Sequence, residues 1–273
     1  MLRRMRRESA KQVGHRDTWD TGEVLAELPS GGPIDLAGLF GNARPVECEI
    51  GCGKGTFILA RAAARPEVNL LGIEYARSYC RYTADRVRRQ RERLAAAVHD
   101  PRRTPAGTHE AYEHATRNAH EHATHDARKH ADDTALPPAA SVRMVCADAA
   151  DVVARLPAGS LIRMHIYFPD PWPKRRHHRR RLIQPPFVQT LQRVLRPGGE
   201  LLVVTDHLGY FKHIRRVLTD VPGLARIAFP RMTDADGECV GTNFERKYIT
   251  QGRAFYSLAR LRYTIACGRP VRR

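Results

Sequence analysis

Strand-like and helix-like segments alternate along this chain, which predicts an α/β fold on a doubly wound, mostly parallel sheet with ligands at the carboxyl ends of the strands. Two further observations point the same way. A glycine turn, Gly51-Cys52-Gly53-Lys54-Gly55, separates the first apolar strand from the first helix. A proline-bracketed acid, Asp170, follows a later strand.

Taken in order, Val46 to Ile50 reads as a strand, Gly51 to Gly55 as a turn and Thr56 to Ala64 as an alanine-rich helix. Asn69 to Glu74 is a second strand, and a long basic helix runs from Arg77 to about Ala97. The series resumes with a strand at Val142 to Cys146, a short helix near Ala149 to Leu156, and a strand from Leu161 to Phe168 closed by proline. A helix from about Ile183 to Leu195 stops at Arg196-Pro197-Gly198-Gly199, where proline and glycine end it. A strand at Glu200 to Thr205, a helix near Gly209 to Leu218, and strands at Leu224 to Phe229 and Phe255 to Thr264 complete the pattern.

Two segments fall outside it. Residues 1–44 are polar and rich in Gly, Pro and Arg, and read as a basic arm with a loosely packed lead-in. Residues 99–141 are rich in His, Ala, Thr, Arg and Glu with almost no large apolar side chains, so they read as an insertion, flexible or forming a solvated helix. The folded domain then comprises 45–98 and 142–268. His109, His114, His120, His122, His125 and His130 lack a clean Cys/His ligand pattern, so no metal is assigned.

Length allows one good α/β core: 273 residues fit one domain with an insertion, or at most two. Lys plus Arg number 46 against 29 acids, a formal +17, which favours partners carrying many phosphates. The charged N-terminus is followed by no apolar stretch, and no run reaches membrane-spanning length. Cys48, Cys52, Cys80, Cys146, Cys239 and Cys267 are scattered, as small core residues of a reduced, cytoplasmic protein would be. The sequence leaves monomer or homodimer open.

The glycine turn admits three nucleotide readings. A phosphate-binding loop needs a glycine where Cys48 stands and Ser or Thr after Lys54, where Gly55 stands, so it fails. A dinucleotide fingerprint needs G-x-G-x-x-G, but the spacing here is G-x-G-x-G with Thr56 at the third glycine position. The turn of S-adenosylmethionine methyltransferases, an acid followed by G-x-G-x-G, remains. Glu74, about twenty residues beyond the turn, is then placed for a ribose diol. Asp148 faces either the adenine amine or a helix N-cap.

The other organising stretch is Ile166 to Arg181. Pro169, Pro171 and Pro173 bracket Asp170 and Trp172, and each proline fixes its own φ while restricting its predecessor, so a stiff, extended loop is expected. Lys174, Arg175, Arg176, Arg179, Arg180 and Arg181 follow, setting a carboxylate beside a cationic shelf suited to an anionic polymer.

Glu49 to Gly55, Gly72-Ile73-Glu74, Phe168-Pro-Asp-Pro-Trp-Pro-Lys174, His177 to Leu182, Leu195 to Gly199, Val204-Thr-Asp206 and Thr242-Asn243-Phe244-Glu245 occur in order. Together they resemble the bacterial tRNA (guanine-N7)-methyltransferases over roughly 45–98 and 142–265. The resemblance implies a seven-stranded class I methyltransferase (Rossmann-like) sheet with one antiparallel strand. It also implies methyl transfer from S-adenosylmethionine to guanine N7 at variable-loop position 46 of tRNA. By position it assigns Glu49, Gly51, Gly53, Gly55, Glu74, Asp148 and Asp170 to the cofactor and reaction centre, and Asp170 to catalysis. Lys174, Asp206, Thr242, Asn243, Phe244 and Glu245 fall to the guanosine, and Arg175, Arg176, Arg179, Arg180 and Arg181 to RNA. For Thr242 and Glu245 a helix capping box is a second reading compatible with the first. A relative acting on another RNA or a protein, or an inert RNA-binding subunit of the same fold, are the alternatives, and the intact glycine turn and Asp170 speak against the inert form.

Overall fold

The computed structural model describes residues 19–98, 141–219, 221–233, 237–266 and 269–270. Seven strands form the main sheet: β1 Val46–Ile50, β2 Asn69–Glu74, β3 Ser141–Cys146, β4 Leu161–Tyr167, β5 Leu195–Thr205, β6 Leu224–Ile227 and β7 Tyr256–Arg262. Their order is β3-β2-β1-β4-β5-β7-β6. β1 pairs in parallel with β2 and β4, β2 with β3 and β4 with β5, while β7 runs antiparallel to both β5 and β6. β7 is thus the single reversed strand of the sheet, matching the one antiparallel strand that the resemblance implied. Because the chain winds outward from β1 in both directions, a crevice opens at the carboxyl ends of β1 and β4.

Helices α1 Leu36–Phe40, α2 Thr56–Ala64, α3 Arg77–Val98, α4 Ala149–Arg155, α5 Pro185–Val194, α6 Leu208–Thr219 and α7 Asn243–Thr250 flank the sheet. Every residue of β1 and β2 is buried, as parallel strands covered on both faces must be. The main core gathers Cys48, Met164, Ile166, Leu191, Leu201 and Tyr210 from strands and covering helices. Among the described residues no helix is long and apolar enough to cross a membrane.

Besides shifts of one or two residues at several element ends, the structure departs from the sequence reading at three places. α5 begins at Pro185, with prolines at its first two positions, where the missing N–H costs nothing. Arg196 to Gly199 does not separate helix from strand but lies within β5. Leu161 pairs with Leu195 and Arg163 with Glu200, so this stretch is a bulge in the β4–β5 ladder, with Gly198 at φ 79°. The lead-in is also packed more tightly than its composition suggests. Val24, Ile34 and Phe40 are buried, and Ala26 N–H donates to the Met144 carbonyl at 2.8 Å, so this segment covers the β3 edge. The basic arm up to Thr18 and the histidines from His109 to His130, like Cys267, lie outside the described residues.

Candidate active site

The glycine turn folds tightly between β1 and α2. Gly51 N–H donates to the Ile73 carbonyl and Gly55 N–H to the Cys52 carbonyl, both at 2.8 Å. Gly55 has a φ of 74°, and a Cβ there would lie 2.4 Å from Thr83 Cγ2, so close packing on α3 demands glycine. Thr83 in turn donates its hydroxyl to the Gly53 carbonyl at 2.8 Å. Gly51, at φ 78°, faces open space instead: a Cβ there would meet nothing within 4 Å.

Three acids lie near the turn, with Glu74 coupled to each of the other two. Glu49 is 6% exposed, and its Oε2 is buried with no hydrogen-bond partner among the described residues. Burial, reinforced by the Glu74 charge, pushes its pKa up to about 8. Glu74 is also buried, but its oxygens accept from Gly53 N–H at 2.9 Å and Ala76 N–H at 2.8 Å, so it braces the turn. Those bonds leave lone pairs on each oxygen. Its pKa is nevertheless raised, by burial and by the Asp170 charge. Asp170 stands at the mouth, open to solvent on one side and crowded on the other, and that partial desolvation raises it too. Glu74 thus repels both Glu49 and Asp170, and a carboxylate cluster with one unmatched oxygen suits a cation. S-Adenosylmethionine carries a sulfonium and an ammonium group, so the residues present fit it. Asp148 caps α4, accepting from Ala150 N–H at 2.8 Å.

The proline loop corrects the expectation of extended backbone. Phe168 and Trp172, each preceding a proline, take φ values of 51° and 43°. Proline disfavours the right-handed helical region for its predecessor, and here both residues turn to the left-handed side, at an energetic cost that surrounding contacts must offset. Phe168 N–H is anchored to the Val204 carbonyl at 2.7 Å. Arg181 supplies the second anchor: 5% exposed, it donates from Nε to the Pro171 carbonyl at 2.9 Å and lies 4.9 Å over the Tyr210 ring. It therefore braces the loop and leaves the cationic shelf to Lys174, Arg175, Arg176, Arg179 and Arg180, all exposed around the 3-10 turn Arg175–Arg180. Arg180 also lies 5.1 Å over the Trp172 ring.

The Thr242 to Glu245 element divides in the same way. Thr242 caps α7, accepting from Glu245 N–H at 3.1 Å. Glu245 is fully buried, and its carboxylate accepts from the N–H groups of Cys239, Val240 and Gly241 at 2.5, 3.0 and 2.7 Å. It reaches one to three residues further back than a capping box and fixes the turn before the helix. Asn243 and Phe244 remain exposed, with Phe244 5.9 Å from Phe168 across the crevice wall. Asp206 is paired with Arg253 Nη2 at 2.7 Å and hydrogen-bonds Tyr248, whose ring lies 4.2 Å beneath the same guanidinium. Sequence reasoning missed Arg253 and Tyr248. They sit in no recognisable motif and meet Asp206 only through the turn after α7.

A family model described as "Putative methyltransferase" matches residues 43–102 and 108–258. A tRNA (guanine-N(7)-)-methyltransferase of Alkalilimnicola ehrlichii is 33% identical over 235 residues, covering 86% of this chain and 79% of that protein. The chain belongs to the tRNA (guanine-N(7)-)-methyltransferase family. Another tRNA (guanine-N(7)-)-methyltransferase, from Mycolicibacterium gilvum, is 33% identical over 229 residues, covering 81% of this chain and 71% of that protein. The family match spans both strand-helix series and includes the glycine turn, the proline loop and α7.

Proposed function

We propose that this protein transfers a methyl group from S-adenosylmethionine to N7 of a guanosine in tRNA, at variable-loop position 46. The observation that carries this reading is the buried, unpartnered Glu49 Oε2 facing the glycine turn, in a carboxylate cluster shared with Glu74 and Asp170. The cofactor, when bound, supplies an electrophilic methyl on a cationic sulfur. Glu49 is the partner for its ammonium group, and Glu74 retains lone pairs for the ribose hydroxyls.

Guanine N7 has a free lone pair and no proton, so alignment matters more than proton abstraction, and orientation alone lowers such barriers by several kcal/mol. Asp170, held by the Phe168 and Arg181 anchors, favours the cation that develops on the base. Lys174 is suited to guanine O6, and Asp206 to N1–H and the 2-amino group once Arg253 yields it. Glu245 and Thr242 act one step removed, by shaping the turn that carries Asn243 and Phe244. Arg175, Arg176, Arg179 and Arg180 hold RNA backbone.

Transfer of labelled methyl to an unmodified tRNA transcript tests this reading, with a parallel transcript carrying adenosine in place of guanosine 46. Label lost with the replacement supports both substrate and position. Label that persists moves the target nucleotide, and absence of label on RNA removes the activity.

A further inference from the structure

Two thiols sit side by side next to Glu74 and take no part in the chemistry proposed above. Cys146 ends β3, directly opposite Glu74 in the β2–β3 register. Cys80 lies in the first turns of α3, six residues after Glu74, where its N–H donates to the Ala76 carbonyl at 2.9 Å. Helix and strand end therefore bring the two side chains together, and the Cys80 and Cys146 thiols are hydrogen-bonded to each other. Their exposures differ: Cys80 is fully buried, whereas Cys146, on the outermost strand, is exposed. A scattered set of core cysteines would not produce such a pair.

We propose that Cys80 and Cys146 form a dithiol site that closes reversibly to a disulfide in exchange with small-molecule disulfides, tying the start of α3 to the end of β3. The exposed Cys146 is the point of entry. Its thiolate attacks one sulfur of the small disulfide, forming a mixed disulfide and expelling one small thiolate. The Cys80 thiolate then attacks Cys146 sulfur and expels the second. Two protein thiols lose two electrons and two protons, and the small disulfide gains them as two thiols. Burial, with Glu74, raises the Cys146 thiol against the pull of the Cys80 thiol, Arg77 and Arg81. Burial raises Cys80 as well, so exchange is slow at neutral pH and faster in alkali. Cys80 needs no solvent access, because its only target is the sulfur already in contact.

The test is incubation of the reduced full-length protein with oxidised glutathione, then alkylation of remaining thiols and peptide mapping without reductant. The expected result is a Cys80–Cys146 linked peptide that disappears on addition of dithiothreitol. Cys80→Ala, a small apolar replacement suited to the buried position, should instead accumulate a stable glutathione adduct on Cys146, and Cys146→Ser should give neither product. An adduct on wild-type Cys146 that never resolves, or a link from Cys80 to the neighbouring buried Cys52, would overturn the assignment. The mapping requires no methyl transfer, so its outcome is independent of the proposed activity.

Discussion

Glu47 and Glu49 stand two residues apart on β1, on the same face of the sheet and both buried, yet they occupy opposite electrostatic worlds. Glu47 receives two hydrogen bonds from Arg61, at 2.8 and 2.7 Å, and one from His165 Nε2 at 2.9 Å. Burial alone would raise its pKa, but those donors outweigh it and hold the carboxyl below the usual range. His165 is kept neutral, its pKa pressed down to about 4 by burial, so Nε2–H donates to Glu47 and Nδ1 accepts from the Tyr167 hydroxyl at 2.7 Å. Both carboxylate oxygens of Glu47 and both ring nitrogens of His165 therefore have partners. Glu49, one pleat nearer the crevice, has an oxygen with none among the described residues. A buried charge is tolerated when paired within the fold, and the unpaired one marks where a partner from outside belongs.

The largest effect should come from the paired side. Glu47→Gln leaves Arg61 buried without its counter-charge and is expected to cost about 3–5 kcal/mol in urea unfolding. A loss under 1 kcal/mol would mean that the network is not what holds β1 to α2. Asp170→Ala belongs to the unpaired side: methyl transfer should fall by roughly 10²–10³, the scale of losing one charge-stabilising group, while tRNA binding persists. Unchanged turnover would take Asp170 out of the mechanism.

Glu49→Gln sharpens the contrast through pH. Glu49 has a folded pKa raised to about 8 from 4.5, so the ligand-free fold loses stability as pH rises across that interval. The glutamine variant should match wild type near pH 4.5 and exceed it in melting temperature at pH 8.5. Glu47 has the opposite sign: its stabilisation is present above pH 4.5 and is lost as pH falls below it. At pH 8.5 the same Glu49→Gln variant should bind S-adenosylmethionine at least about tenfold more weakly in calorimetry, the worth of a charge-assisted hydrogen bond. A more stable variant with intact affinity would break the link between the orphan oxygen and the cofactor.

The smallest expected effect is on RNA affinity. Replacing Arg179 and Arg180 with alanine should reduce the slope of log affinity against log salt by roughly 0.7–0.9 per lost phosphate contact. Arg181→Ala, in contrast, should disturb the proline loop and lower turnover with little change in that slope, since Arg181 is bonded to Pro171.

Sequence alone determined the sheet, the glycine turn and the acid-bearing loop, because those rest on local rules. Short apolar runs, an alanine-rich helix after glycines and prolines bracketing an acid are all legible within a few residues, though the left-handed turns at Phe168 and Trp172 are not. It also drew together Glu49, Glu74 and Asp170, since each closes or follows a strand whose carboxyl end meets the crevice. What it did not decide was the duty of residues that look alike in the chain. Arg181 follows Arg180 without a break, yet the turn at Arg175–Arg180 rotates one outward and the other against Tyr210. Glu245 and Asp206 both resembled free acceptors, until folding gave one three backbone N–H groups and the other Arg253, 47 residues away in sequence. Cys80 and Cys146 are remote in the chain and touch only because α3 packs back on β3. Charge and shape are written locally, but whether a polar atom is satisfied depends on partners that only the tertiary fold brings within reach.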